Sequence, residues 1–208
     1  MYISHKYKIL FLTVPKVGST TLKKLMWFAE TGHKMPDMIH NLFGTRSFEK
    51  NEKYVFNEGV KDYKKYCIIR DPIDRFISNY NHRILVKEDH LQNKDVFKRY
   101  KLQKKPTFAH FLDKIHNYNQ NGDIRHHTHA LCHYLGADAD LYDEIFTMKD
   151  INTKIFPMME EICGFKMKFD MTATNAPKVM TRDKLNPKQE EKIREMYKRD
   201  YKVYGDYL

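Results

Sequence analysis

The sequence predicts an α/β protein with a central parallel sheet flanked by helices, and three observations carry that reading. Short continuous apolar runs bounded by turn residues recur along the chain, as strands buried on both faces do. Stretches with the i, i+3, i+4, i+7 spacing of a helix face stand between them. The first two clear runs each end in a turn that leads straight into such a stretch, the order expected of a parallel sheet.

Residues 8–14 (KILFLTV) form the first strand, because the run is apolar throughout and stops at Pro15. Residues 15–19 are a turn, and from Thr20 the side chains of Leu22, Leu25, Met26 and Ala29 make a helix face that Ser19 or Thr20 can cap and that stops near Gly32. Residues 33–53 are polar and irregular, with Pro36 and Gly44, and residues 54–57 suit a short strand. Tyr66, Cys67, Ile68 and Ile69 form a second buried strand ending at Arg70. Asp71 and Pro72 then start a helix, Asp as N-cap and Pro in the first helical position, with Ile73, Phe76, Ile77, Tyr80 and Ile84 on its apolar face.

The charged stretch from Val86 to Thr107 has little periodicity and reads as the start of a helix-rich insertion, spanning about 86–135, over one end of the sheet. Within it, helices are expected over 107–116 and 128–135, with a turn at Gly122 between them. Residues 141–146 suit a third strand, and 151–163 a helix capped by Asp150. A last helix starts at Pro187 and turns Ile193, Met196, Tyr197, Tyr201 and Tyr204 inward. The whole of 1–208 is read as a single domain, since 208 residues support one sizeable core and leave little room for a second.

With 41% apolar residues and 13% aromatic ones, the composition excludes a disordered polymer. Thirty-seven Lys and Arg against 27 Asp and Glu give a net charge of +10, which attracts polyanions without choosing among them. The basic clusters are pairs such as Lys23-Lys24 and Lys64-Lys65 spread along the chain, unlike a nucleic-acid arm, so no nucleic-acid partner is expected. Cys67, Cys132 and Cys163 are too few and too scattered for a disulfide framework or a CxxC metal site. No apolar stretch approaches 18 residues, so neither a signal peptide nor a membrane anchor is expected in this chain. Oligomeric state has no signature here.

Chemistry concentrates in two stretches. In TVPKVGSTTL (13–22) a helix N-terminus supplies unpaired N–H groups, Gly18 lets the backbone approach a ligand closely, Ser19, Thr20 and Thr21 add hydroxyls, and Lys16 adds a full positive charge. The nucleotide-triphosphate loop needs GxxxxGK(S/T); here Lys16 precedes the glycine and that spacing occurs nowhere, which speaks against ATP with magnesium. In CIIRDPIDRFISNYNHRI (67–84) Arg70 ends a strand, where open α/β sheets bind ligands, and Ser78 lies two turns into the next helix. Together they can clamp a second phosphate, while the plainer reading pairs Arg70 with Asp71 or Asp74. His129 and His133, four apart with Cys132 adjacent, invite a zinc reading, but no HExxH, CxxC or fourth ligand accompanies them and no metal is expected.

These two stretches resemble sulfotransferases that use 3′-phosphoadenosine 5′-phosphosulfate (PAPS): VPKVGSTTL is similar to their 5′-phosphosulfate loop, and IIRDPIDRFISNY to their 3′-phosphate motif RDPxxRxxSxY. The nearest likeness is to the Golgi carbohydrate sulfotransferases and their bacterial relatives, and it extends more weakly through HHTHALCHYLGADADLYDEIFTMKDI and the C-terminal TNAPKVMTRDKLNPKQEEKIREMYKRDYKVYGDY. The resemblance implies a P-loop-like three-layer sandwich and PAPS as co-substrate without a metal. It implies that Lys16 contacts the 5′-phosphosulfate, that Val17, Gly18, Ser19, Thr20 and Thr21 form the loop, and that Arg70 and Ser78 hold the 3′-phosphate.

For the base, Glu58 lies about a dozen residues before Arg70, where uronyl sulfotransferases carry a Gly-His pair, with His33 and His40 as alternatives. Arg125 and His127 fall where relatives line the acceptor pocket, acceptor contact and simple capping or packing being equally open. Lys178 and Arg182 can reach the nucleotide from the C-terminal side. The acceptor would be a hydroxyl, of a carbohydrate by resemblance, and the chain either a cytoplasmic enzyme of bacterial or viral type or a catalytic domain trimmed of its membrane anchor. The competing readings are a P-loop-like phosphotransferase and a non-enzymatic polyanion or nucleic-acid binder.

Overall fold

The computed structural model describes residues 1–35, 55–166 and 179–208. These divide into two compact units, one of Met1–Arg70, Leu131–Ala173 and Lys202–Leu208, the other of Asp71–Ala130 and Thr174–Tyr201.

Among the described residues the first unit holds a four-stranded sheet, in the order β1 (Tyr2–Ser4), β2 (Ile9–Thr13), β3 (Lys64–Ile69), β4 (Glu144–Thr147). β2 pairs in parallel with β3, and β3 with β4, so the fold is α/β with a mostly parallel sheet as the apolar runs predict. β1 adds an antiparallel edge through pairs such as Ile3 with Leu10. Three residues at the chain start carry too little pattern to announce it. Every residue of β2 is buried, which is why it reads as an unbroken apolar run.

Helix α1 (Ser19–Thr31) buries Leu22, Leu25, Met26 and Ala29 and ends on Gly32 in the left-handed conformation. It packs against β1 and against the helix Phe156–Cys163, while Leu131–Leu135 packs on β2. Asp143 ties the sheet's entry edge together, accepting from Lys64 Nζ at 2.6 Å and from the Lys65 N–H at 2.8 Å. Burial alone would raise its carboxyl, but these two donors outweigh it and hold the group below the usual carboxylate range.

The second unit is helical among its described residues. Asp71 caps α2 (Pro72–Asn79), accepting from the N–H of Ile73 at 2.8 Å and of Asp74 at 3.4 Å, with Pro72 in the first turn. A wider turn of π type, Tyr80–Ile84, continues α2. Ile73, Phe76, Ile77, Tyr80 and Ile84 are all buried, together with Phe108 and Phe111 from the helix Phe108–Asp113.

Several expectations are corrected. Gly18, not Ser19 or Thr20, is the N-cap of α1, and it makes no side-chain cap. Tyr54 lies outside the described residues and 55–57 form no strand; the backbone enters a short 3-10 turn there, capped by Asn57. Val86–Thr107 contains two short helices, Asp89–Gln92 and Lys94–Arg99. The helix predicted over 107–116 breaks at Lys114 and resumes over Ile115–Tyr118. Gly122 begins helix α3 (Gly122–Thr128) instead of separating helices, because Asn121 caps it, and the chain turns extended at His129. His129 and His133 therefore do not share one helix face. The third strand starts at Glu144, since Leu141 closes a 3-10 turn. Asp150 accepts from the Thr147 N–H and hydroxyl, at 2.7 and 2.8 Å, and does not cap the helix after it, whose first turn is of π type. In the last helical region Ile193, Tyr197 and Tyr204 are buried and Tyr201 is half-buried, but Met196 is exposed.

Candidate active site

The loop between β2 and α1 is fixed from both sides. Val14 and Val17 are fully buried, so they anchor the loop in the core and Val17 offers a ligand only its backbone. Between and after them Lys16 (φ 70°) and Gly18 (φ 80°) are left-handed. Alternation of this kind turns successive N–H groups toward a common concavity, the backbone from which anion nests are made. A left-handed lysine costs about 1–2 kcal/mol, so the surrounding structure over-determines the bend. Gly18 is favoured by its positive φ, and a Cβ there would stand 2.8 Å from Ile151 Cδ1, the end of a side chain that would have to move aside. Ser19, Thr20 and Thr21 follow as half-buried residues in the first turn of α1, which contains no acidic residue to offset its positive end.

Register brings the second motif to this loop. Thr13 pairs with Ile68, so the chain leaves the C-terminal ends of β2 and β3 side by side. Arg70, the residue after β3, reaches across and donates from Nη1 to the Lys16 carbonyl at 3.4 Å. The structure thus joins Lys16 and Arg70, 54 positions apart, at the end of a parallel sheet where α/β proteins hold ligands.

Ser78 is half-buried in α2, within the second unit. Glu58 begins the 3-10 turn Glu58–Val60, 85% exposed, with its carboxylate 2.9 Å from Lys61 Nζ. His33 is exposed just past the C-terminal end of α1. At 1.5 Å per residue that helix separates His33 from the loop by about 20 Å. His40 and Lys178 lie outside the described residues. Arg125 is exposed, donating to the Asn119 carbonyl at 3.4 Å, and the half-buried His127 ring bonds the Asp123 carbonyl at 2.8 Å. Two apart on α3, these side chains face nearly opposite ways, so a single pocket wall would take one of them. Among the described residues no three His, Cys, Asp or Glu converge as a metal site.

Sequence reasoning missed how much of the second motif is spent on structure. Arg182, expected near the nucleotide, bridges Asp71 at 3.2 Å and Glu190 at 3.2 Å. Tyr201 donates to the same Asp71 carboxylate at 3.1 Å, its hydroxyl pushed up by burial and then by that carboxylate. Arg75 is buried, although the period of α2 gives no sign of it. Its fixed place in RDPxxR was the available signal.

The family model described as "Sulfotransferase family" matches residues 1–207. The chain belongs to the sulfotransferase family. Sulfotransfer is the reaction class that membership carries. Among curated proteins the chain is similar to carbohydrate sulfotransferase 10 of Rattus norvegicus and of Mus musculus, each 28% identical over 92 residues, or 41% of this chain. The human protein of that name is 27% identical over the same length. The aligned part is only 26% of the relatives' own length, so their activity as whole proteins does not transfer with the match. No solved structure matches the chain at a significant level. Among the described residues of this family member, no helix is long and apolar enough to cross a membrane.

Proposed function

We propose that the chain, as a single sulfotransferase domain, transfers a sulfuryl group from PAPS to a hydroxyl of a carbohydrate. The observation that carries this reading is the Arg70 guanidinium on the Lys16 carbonyl, which sets two cationic residues beside the acid-free N-terminus of α1. PAPS carries negative charge at two separated positions, and two basic positions on neighbouring strand ends suit it. In this reading Lys16 and the N–H and hydroxyl groups of 17–21 hold the 5′-phosphosulfate, and Arg70 with Ser78 holds the 3′-phosphate. The acceptor oxygen attacks sulfur as the bond from sulfur to the 5′-phosphate oxygen breaks. The acceptor proton goes to a base, and the products are a sulfate ester and 3′-phosphoadenosine 5′-phosphate. Charge growing on the leaving phosphate is stabilised by Lys16.

Glu58 is the base in this proposal, with His40 as the alternative; the length of α1 weighs against His33. Arg125 or His127 contacts the acceptor. A carbohydrate acceptor is supported by the names of the similar proteins. The reading allows either a cytoplasmic enzyme or a catalytic domain trimmed of a membrane anchor.

The deciding test is thermal stabilisation by 3′-phosphoadenosine 5′-phosphate, ATP with magnesium and an oligonucleotide, alongside transfer of label from ³⁵S-PAPS to a panel of p-nitrophenyl glycosides. At a hundred times its Kd, a ligand adds about 2.7 kcal/mol, or roughly 5–11 °C for a chain of this size. Stabilisation by the bisphosphate alone, with label on at least one glycoside, is expected; no shift with the bisphosphate would reject the reading. Glu58→Gln should lower the rate by about 10²-fold with bisphosphate affinity kept. An unchanged rate would hand the proton to a histidine.

A further inference from the structure

Arg75 belongs to the motif read as the 3′-phosphate site, yet it is 1% exposed. Its Nη1 donates to the His127 carbonyl at 3.3 Å, and its Nη2 donates to the His129 carbonyl. The carbonyl between them, that of Thr128, accepts from the Tyr197 hydroxyl at 2.7 Å. The guanidinium lies 5.6 Å over the Tyr197 ring, so one cation and one phenol hold three successive carbonyls as a single assembly. Among the described residues Arg75 forms no ion pair with a carboxylate. What compensates its charge is the negative end of α3, whose last carbonyls have no partner inside the helix. Burial pushes the Tyr197 hydroxyl up to about 12, with Asp200 adding to the rise and Arg75 opposing it. The phenol is therefore a neutral donor at working pH.

A buried charge is costly, and here it is spent on the end of one short helix. That helix carries Arg125 and His127, the acceptor-side candidates. We propose that Arg75 is a positioning residue: together with Tyr197 it clamps the C-terminal end of α3 and so sets where Arg125 or His127, whichever contacts the acceptor, stands. The acceptor role rests on the function proposed above; the clamp itself does not. One motif then has two uses, Arg70 for the donor in the proposed function and Arg75 for the helix that carries the acceptor candidates. Lysine cannot replace Arg75, because its compact ammonium lacks the fork that spans two carbonyls.

The test uses Arg75→Lys and the milder Tyr197→Phe, which keeps the ring under the guanidinium and removes only the Thr128 bond. Amide exchange over 122–131 should quicken about tenfold in both variants, with the amides of α1 unchanged. KM for the glycoside sulfated best by the wild-type protein should rise about tenfold, the size of one lost charged hydrogen bond, while kcat and the Kd for 3′-phosphoadenosine 5′-phosphate stay within about twofold. Unchanged exchange over 122–131 in both variants would overturn the clamp. A Kd about tenfold weaker with KM unchanged would make Arg75 a donor ligand and overturn it equally. Should Arg75→Lys not fold, the same readouts on Tyr197→Phe decide. If the wild-type protein sulfates no glycoside, the proposed function fails, and the exchange measurement still decides the clamp.

Discussion

The loop after β2 and the helix after β3 are both motif stretches rich in polar groups, but they use them in opposite ways. In the loop, apolar Val14 and Val17 do the anchoring, and the polar residues are left at the surface of the core with the backbone bent around them. In the second stretch the charges themselves anchor: Asp71 caps α2 and takes Arg182 and Tyr201, and Arg75 holds the end of α3. Arg70, the last residue before that helix start, donates to the loop instead, at the Lys16 carbonyl. A charge in a motif is thus a poor guide to ligand contact until its burial is known. Substitutions in the first stretch should cost chemistry, and those in the second should cost structure as well.

The largest effect is expected at Lys16. Lys16→Ala should lower turnover by about 10²–10³-fold, as loss of one donor to developing charge does, with the melting temperature kept. A comparable loss of melting temperature would show that the loop is anchored by its charge after all. Next, Arg70→Ala should weaken 3′-phosphoadenosine 5′-phosphate by about 10–100-fold, the worth of a charged hydrogen bond, as measured by calorimetry. Unchanged affinity would remove Arg70 from the donor site. Asp71→Ala should behave oppositely, costing about 1–2 kcal/mol for the lost cap, or roughly 2–8 °C, with bisphosphate affinity changed far less.

The smallest effect concerns the sheet's entry edge, far from either motif's chemistry. Asp143 has its folded-state carboxyl held below the unfolded value, so its contribution is present above the ordinary carboxylate range and lost as pH falls through the depressed value. Asp143→Asn should therefore flatten the fall of melting temperature below about pH 4, while lowering it modestly at neutral pH. A melting curve as steep in acid as the wild type's would discharge Asp143 from that role.

Much of the fold was legible because local pattern and burial agree. β2, β3, the capped start of α2 and the inward face of α1 follow from apolar runs, an Asp-Pro start and helical spacing, all of which act within a few residues. The interruptions were not legible. Lys114, His129 and Tyr197 end helices at positions where the apolar period runs on, and at two of them a distant segment is bonded at the break: Arg75 donates to the His129 carbonyl and the Tyr197 hydroxyl to the Thr128 carbonyl.

The same division runs through the candidate site. By itself the sequence determined that a positively charged, glycine-bearing turn follows a buried strand and that its spacing is wrong for a triphosphate, because these depend on residue type and near neighbours. Only the tertiary structure decided that Arg70 meets Lys16 while Asp71 and Arg75 face the fold. Which carbonyl or carboxylate a long cationic side chain finds is fixed by strand register and helix packing across 50 or more residues, and no local pattern encodes it.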